Sequence, residues 1–115
     1  MNIGIDMMGG DFAPLEAVKG VQLYLSNAQH NLFCIGDATQ LEGLFQQHGI
    51  ASPFLHLIDA PEVIGYHEHP TKALKEKPNS SIAIGFRYLA EGKIDAFLSA
   101  GNTGAMLVGA MFSIK

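Results

Sequence analysis

The stretch DAFLSAGNTGAMLVGAMFSI, residues 95–114, decides the fold. It begins with an apolar, strand-like run over 95–100, passes through a turn that contains Asn102 and Thr103, and continues after Gly104 as an apolar helix. A strand that leads through a short turn into a helix is typical of parallel α/β sheets, because a crossover must follow each parallel strand. The helical run is too short to span a bilayer, so we predict a buried helix.

The same alternation extends outward over the rest of the chain. Strands are predicted over 2–6, 31–36 and 54–60, and helices over about 14–26, 37–49 and 80–92. Strands of nearly continuous apolar residues favour a mostly parallel sheet with helices on both faces, which gives a three-layer α/β fold. Ligands of such sheets bind beyond the carboxyl ends of the strands. The turns MMGGD (7–11) and SAGNTG (99–104) are both expected at that edge.

Composition limits the classes of function. The 115 residues suit one domain, and their hydrophobic content of 48% supports a real core. A formal net charge of -4 excludes a broad basic surface for nucleic acid, so any anion site must be local. Cys34 is the single cysteine and the first residues do not resemble a signal peptide, which favours a cytoplasmic protein. The last helix runs into Lys115 without a closing Gly or Asn, as expected of a fragment of a longer protein.

The turn SAGNTG has the features of a phosphate site. The free N–H groups of the first helical turn point outward, and Gly101 and Gly104 let an anion approach the backbone closely. Ser99, Asn102 and Thr103 add short side chains that donate hydrogen bonds. The alternative is a tight turn in which the Asn or Thr side chain only caps the helix.

The turn DMMGGD places two carboxylates, Asp6 and Asp11, on either side of Gly9 and Gly10. Carboxylates repel phosphate, so at a shared site they must hold backbone donors in place, pair with a Lys, bind a cation or take a proton. In the alternative interpretation Asp6 only ends a strand and Asp11 only caps a helix.

The segment 61–79 is long for a connection without structure of its own, so we predict that it contains a short helix and acts as a functional flap. Its lysines could neutralise a phosphate, although a solvated basic face explains any one of them: Lys72, Lys75 and Lys77.

The sequence indicates no protein nucleophile. His67 and His69, with one Glu between them, are a weak metal signal, and no metal is predicted. Cys34 lies in the middle of a predicted strand, as expected of a buried apolar residue. No Ser or Cys occupies a nucleophile elbow, so a nucleophile is expected to come from the substrate.

Three segments, IGIDMMGGDFAP (3–14), KEKPNSSIAIGF (75–86) and GKIDAFLSAGNTGA (92–105), resemble in order and spacing the bacterial phosphate acyltransferases of phospholipid synthesis. The resemblance covers nearly the whole chain and corresponds to the N-terminal part of those proteins. It implies a fold similar to the isocitrate and isopropylmalate dehydrogenases, and a homodimer whose site lies in a cleft between two domains.

The resemblance also implies a reaction without a cofactor. Inorganic phosphate attacks the thioester of a fatty acyl group on acyl carrier protein, and the acyl phosphate passes to a membrane glycerol-3-phosphate acyltransferase. Such an enzyme is expected to be cytoplasmic and peripherally associated with the membrane. Catalytic roles are implied for Asp6, Asp11 and Asn102, and phosphate or substrate binding for Gly9, Gly10, Lys77, Ser80, Ser81, Ser99, Gly101, Thr103 and Gly104.

Two other hypotheses remain. The start IGIDMMGG superficially resembles the first phosphate loop of sugar and acetate kinases, but there a second strand follows in a hairpin, whereas Pro14 and the amphipathic run after it predict a helix. Alternatively, the 115 residues alone form a non-catalytic part that binds phosphate or a partner protein.

Overall fold

A computed structural model describes residues 1–10, 13–65 and 67–113 of the chain. The strands in these ranges are β1 (Asn2–Asp6), β2 (Asn31–Gly36), β3 (Leu55–Asp59) and β4 (Ala96–Leu98). The helices in these ranges are α1 (Leu15–Leu25), α2 (Ala38–Gln47), α3 (Pro70–Glu76), α4 (Ser81–Ala90) and α5 (Thr103–Ser113). The predicted alternation of strands and helices is therefore confirmed, and a helix follows β1 where a kinase loop would have a second strand.

The four strands form one parallel sheet in the order β3-β2-β1-β4. The chain builds outward from β1 to β3 on one side and then returns to add β4 on the other side of β1. Such a reversal leaves a crevice at the carboxyl ends of the two strands that flank it, here β1 and β4. The sheet confirms the parallel α/β class, while the likeness to the dehydrogenases stays a prediction.

Helices cover both faces of the sheet and produce three layers. Neighbouring residues of β2 show the division, because successive strand side chains point to opposite faces. Cys34 packs with α1 and α2 through Val18 and Leu41, whereas Ile35 packs with Ile84 of α4. On that second side α5 packs against α4, and α3 packs against α5. None of the helices in the described ranges has both the length and the apolar character needed to cross a bilayer.

The helix ends follow the predicted signals, whereas the ends of β4 and α5 shift. Asp37 caps α2, and Gly49 and Gly92 adopt positive φ angles of 64° and 75° just past α2 and α4. The predicted strand over 95–100 ends earlier, at Leu98, and α5 begins at Thr103 rather than after Gly104. At the end of β4 the Ser99 hydroxyl binds the distant Asp6 carboxylate as well as the Gly101 N–H, and at the start of α5 the Asn102 side chain accepts the Ala105 N–H.

Cys34 is expected to resist alkylation in the folded protein. Its side chain is fully buried, and burial raises the pKa of the thiol to about 12, so the reactive thiolate is nearly absent at neutral pH. Peptide mapping after treatment of the complete gene product with N-ethylmaleimide should find Cys34 unmodified before unfolding and modified after it. Rapid labelling of the native protein at Cys34 would contradict the burial.

Candidate functional site

The two glycine-bearing turns meet at the carboxyl ends of β1 and β4, as the sequence predicts. A Cβ atom added to Gly9 would lie 2.7 Å from the backbone nitrogen of Gly101 and 2.9 Å from its Cα. Only a residue without a side chain allows this backbone approach. Gly10 adopts a φ of 98°, which also favours glycine.

Asp6 ties the two turns together. One carboxylate oxygen accepts a hydrogen bond from the Met8 backbone N–H at 2.9 Å, and the other accepts one from the Ser99 hydroxyl at 2.7 Å. The Ser99 oxygen in turn accepts a bond from the Gly101 N–H at 3.0 Å. Asp6 is only 4% exposed, so this buried carboxylate holds backbone donors in place, the first of the four roles that the sequence allowed.

These hydrogen bonds determine which donor and acceptor groups of Ser99 are available to a ligand. Its only proton is directed at Asp6, and one of its lone pairs is directed at Gly101. In this arrangement the hydroxyl has no second proton to donate to a phosphate. Ser99 therefore shapes the turn in this arrangement.

An open cavity of about 460 Å³ lies at this edge. Its lining comprises Ile5, Asp6, Gly9, Gly10, Ala13, Glu16, Ala17, Leu98, Ser99 and Ala100. Among the described residues of that lining, the charged side chains are Asp6 and Glu16, and both are acidic. An anion bound here must therefore be held by backbone N–H groups and by groups outside this lining.

Asn102 has two structural functions in the turn. Its side-chain oxygen accepts a hydrogen bond from the Ala105 N–H at 2.9 Å and caps α5, which matches the alternative interpretation of the sequence. Its side-chain nitrogen donates to the carbonyl oxygens of Gly65 and Glu68 at 2.9 and 3.2 Å. Asn102 is 5% exposed and thus joins α5 to the segment 61–79.

The remaining residues of the last motif lie around this cap. Thr103 is the first residue of α5, and it is exposed. Gly104 packs against Pro70, the first residue of α3, where a Cβ atom would collide with the proline ring. The absence of a side chain at Gly104 thus brings α3 and α5 together, a reason that the sequence alone did not suggest.

Lys77 is engaged within the segment 61–79. Its ammonium group donates to the Val63 carbonyl and to the Glu68 carboxylate, both at 2.8 Å. The Glu68 carboxylate also accepts a hydrogen bond from the Gly65 N–H at 2.6 Å. The positive charge that the sequence assigned to phosphate is paired here with a carboxylate.

Ser80 and Ser81 form the start of α4. Ser80 is fully buried and caps the helix, because its hydroxyl oxygen accepts a hydrogen bond from the Ala83 N–H at 3.2 Å. Ser81, the first helical residue, is also buried. The next residue, Ile82, lies against Gly101, so the start of α4 packs beside the turn SAGNTG.

Asp11 and the weak metal signal at His67 and His69 are the remaining features that the sequence suggested. Asp11 lies outside the described residues. His69 caps α3 with its ring nitrogen, 3.5 Å from the Lys72 N–H, and the described part of the chain holds no group of three or more His, Cys, Asp or Glu side chains suited to a metal ion.

The sequence did not predict that Glu68 is the partner of Lys77. The two residues are nine positions apart, so neither helical nor strand spacing pairs them. They meet because the chain reverses between α3 and the residues before it. The only local signal is His69-Pro70, which marks a helix start and says nothing about the preceding carboxylate.

The Glu68 carboxyl is expected to titrate below its usual range. The hydrogen bond from Lys77, the bond from the Gly65 N–H and the Lys77 charge lower its pKa from 4.5, outweighing a smaller opposing effect of desolvation. A lowered folded pKa contributes stability above pH 4.5 that is lost as the pH falls through the folded value. Carbon NMR of labelled Glu68 should show a midpoint below 4.5 that rises in Lys77→Met. An unshifted midpoint would contradict the pair.

Comparison with known proteins identifies the family of the chain. The fatty acid synthesis protein family matches residues 1–115. The chain is 44% identical, over 115 residues, to the phosphate acyltransferase of Caldicellulosiruptor bescii, an alignment that covers 99% of this chain and 34% of that protein. It is 40% identical over 114 residues to the phosphate acyltransferase of Thermoanaerobacterium thermosaccharolyticum, covering 99% and 33% of the two chains. The chain thus spans about a third of the length of the curated relatives it matches.

Proposed function

The chain belongs to the fatty acid synthesis protein family, and we propose that the complete protein transfers a fatty acyl group from a thioester of acyl carrier protein to inorganic phosphate. The relatives named phosphate acyltransferase support an acyl transfer to phosphate. The crevice at β1 and β4 supports the site, because it lies where parallel sheets bind ligands.

The proposed step is a direct substitution at the thioester carbonyl. An oxygen of hydrogen phosphate attacks the carbonyl carbon, the carbon–sulfur bond breaks, and the proton of the phosphate goes to the departing thiolate. The products are an acyl phosphate and a free carrier thiol. Phosphate is the nucleophile, so the protein has to position the two reactants and stabilise the oxyanion.

The observation that carries this proposal is the link from Asp6 through Ser99 to Gly101. It places the turns of β1 and β4 in fixed contact and uses the Ser99 hydroxyl for the fold. The buried Cys34 thiol is likewise unsuited to attack, because its pKa is raised to about 12. Both facts favour a nucleophile that arrives with the substrate.

The same proposal includes the partners and the setting of the complete protein. Its product, a mixed anhydride, is a reactive acyl donor suited to an acyltransferase that acts on glycerol 3-phosphate at the membrane. We propose a cytoplasmic homodimer that associates peripherally with the membrane. By this account the 115 residues alone do not turn over, because the relatives are about three times longer.

Formation of acyl phosphate tests the proposal. The complete gene product is incubated with fatty acyl carrier protein and inorganic phosphate, and phosphorus NMR follows the new resonance of the acyl phosphate anhydride. The proposal predicts an acyl phosphate signal that requires both substrates and saturates with phosphate. Thioester cleavage that yields only the free fatty acid would contradict it.

Thr103→Val is expected to raise the KM for phosphate about fivefold with little change in kcat, because it removes one exposed hydroxyl donor at the start of α5. Thr39→Val is the matched control, since Thr39 is an exposed Thr in the first turn of α2. Initial rates against phosphate concentration measure both variants. An unchanged KM in Thr103→Val would remove Thr103 from the phosphate site.

A further inference from the structure

We propose that Glu68 is a positioning residue for phosphate, which acts through Asn102 on the first turn of α5. This inference rests on the proposed function. The group of residues involved, called the clasp below, consists of Gly65, Glu68, Lys77 and Asn102, which are joined by hydrogen bonds of 2.6 to 3.2 Å.

Glu68 builds the turn that receives Asn102. Its carboxylate accepts the Gly65 N–H at 2.6 Å, and its own backbone N–H donates to the Gly65 carbonyl at 3.2 Å. Gly65 and Glu68 are thereby joined by two hydrogen bonds. As a result the carbonyl oxygens of Gly65 and Glu68 point at one place, the side-chain nitrogen of Asn102.

This pair of carbonyls fixes the orientation of the Asn102 amide. Two acceptors on one side require the nitrogen there, at 2.9 and 3.2 Å. The oxygen must then face α5, where it lies 2.9 Å from the Ala105 N–H. A reversed amide would set its nitrogen against that N–H and its oxygen against two carbonyls. The turn made by Glu68 therefore determines how α5 is capped.

Lys77 holds the Glu68 carboxylate in this position. Its ammonium group lies 2.8 Å from the carboxylate and 2.8 Å from the Val63 carbonyl, and the Lys77 and Glu68 side chains are 32% and 36% exposed. The pair Lys72–Glu76 in α3 differs, with a separation of 3.9 Å and exposures of 71% and 63%. Partial shielding and charge-assisted bonds strengthen the first pair, whereas an exposed pair such as the second contributes little.

The clasp is expected to affect phosphate binding through the cap of α5. Asn102 caps the first turn of α5 through the Ala105 N–H, and the N-terminal end of a helix favours an anion. Loosening the clasp should weaken phosphate binding and leave binding of the acyl thioester unchanged. A merely structural role predicts another pattern, because partial unfolding lowers the active fraction and hence kcat without changing either KM.

The test compares variants of the complete gene product by their KM for phosphate and for acyl carrier protein thioester. Glu68→Ala and Lys77→Met are each expected to raise the KM for phosphate about tenfold, and the double variant no further, because the two residues act as one unit. Lys77→Arg keeps a cationic donor and should restore a KM close to that of the unsubstituted protein. Glu76→Ala, which breaks the exposed pair in α3, is the matched control and should change neither KM.

Each outcome decides the inference. A KM for phosphate in Glu68→Ala within about twofold of the unsubstituted value would overturn it, as would a tenfold rise in Glu76→Ala. A fall in kcat alone would show that Glu68 only stabilises the fold. If the unsubstituted protein forms no acyl phosphate, the proposed function itself has failed, a result that is distinct from an active protein whose clasp variants are unaffected.

Discussion

Gly9→Ala is expected to lower kcat/KM of the complete protein by about a hundredfold, the scale of loss that a misplacement of about 1 Å at a reacting centre causes. The added Cβ would lie 2.7 Å from an Asp6 carboxylate oxygen and 2.7 Å from the Gly101 nitrogen. Two of the close atoms belong to the Gly101 backbone, so the collision is relieved only if the turns of β1 and β4 move apart.

Gly43→Ala is the control for this prediction. Gly43 lies on the exposed side of α2, and an added Cβ meets nothing within 4 Å. Alanine there should leave the kinetics unchanged and raise the free energy of unfolding by roughly 0.5–1 kcal/mol through helix propensity. Steady-state kinetics and urea denaturation measure both variants. If Gly9→Ala were as active as Gly43→Ala, close contact of the two turns would be irrelevant to the reaction.

Asp6→Asn is expected to reduce kcat/KM by about 30-fold and the free energy of unfolding by about 1–3 kcal/mol, the scale of an unsatisfied buried group. Asn has one acceptor oxygen where Asp6 uses two, for the Met8 N–H and the Ser99 hydroxyl. If the amide nitrogen faces Ser99, the hydroxyl proton loses its acceptor, because an amide nitrogen donates hydrogen bonds and does not accept them. Either the Met8 N–H or the Ser99 hydroxyl proton must therefore lose its acceptor.

Asp59→Asn is the matched control for Asp6. Asp59 also stands at the carboxyl end of a strand and accepts a backbone hydrogen bond, from the Ala38 N–H at 3.1 Å, but it lies exposed at the far end of the sheet in β3. Its replacement should change kcat/KM by less than about twofold, as exposed polar substitutions usually do. Equal losses in both variants would mean that the position of Asp6 between the turns has no special role.

The fold could be predicted from the sequence because its signals are local. Asp37 and Ser80 cap their helices, and Gly49 and Gly92 adopt positive φ angles just past α2 and α4. The boundaries at β4 were wrong because they depend on contacts across the molecule. Leu98 ends the strand where Ser99 turns to bind Asp6, a residue 93 positions away.

The position of the candidate site could be predicted from the sequence, but the function of each side chain in it could not. Parallel topology places the turns of Asp6 and Ser99 at one edge whatever their chemistry. Whether Asn102 faces a ligand or the segment 61–79 depends on where two carbonyls lie, and the chain alone does not give that. Lys77 illustrates the same limit, since its charge is visible in the sequence and its partner Glu68 is not.

The site as described relies on backbone geometry more than on reactive side chains. Asp6 and Ser99 hold the turns together, and Asn102 caps α5, whose N-terminal backbone supplies the N–H donors of the proposed phosphate site. Such donors need no reorganisation when charge develops on the substrate, which is how a rigid site stabilises an oxyanion. Activity should therefore depend on residues that fix the turns, as the Gly9 and Asp6 variants test.

Direct attack of phosphate on the thioester can be measured as rapid-quench release of free carrier protein from fatty acyl carrier protein by the complete gene product. If phosphate is the nucleophile, no carrier protein is released in the first turnover without phosphate, and release is steady with phosphate. One equivalent of free carrier per active site in the absence of phosphate would contradict direct attack, because the acyl group would then have passed to a side chain of the protein.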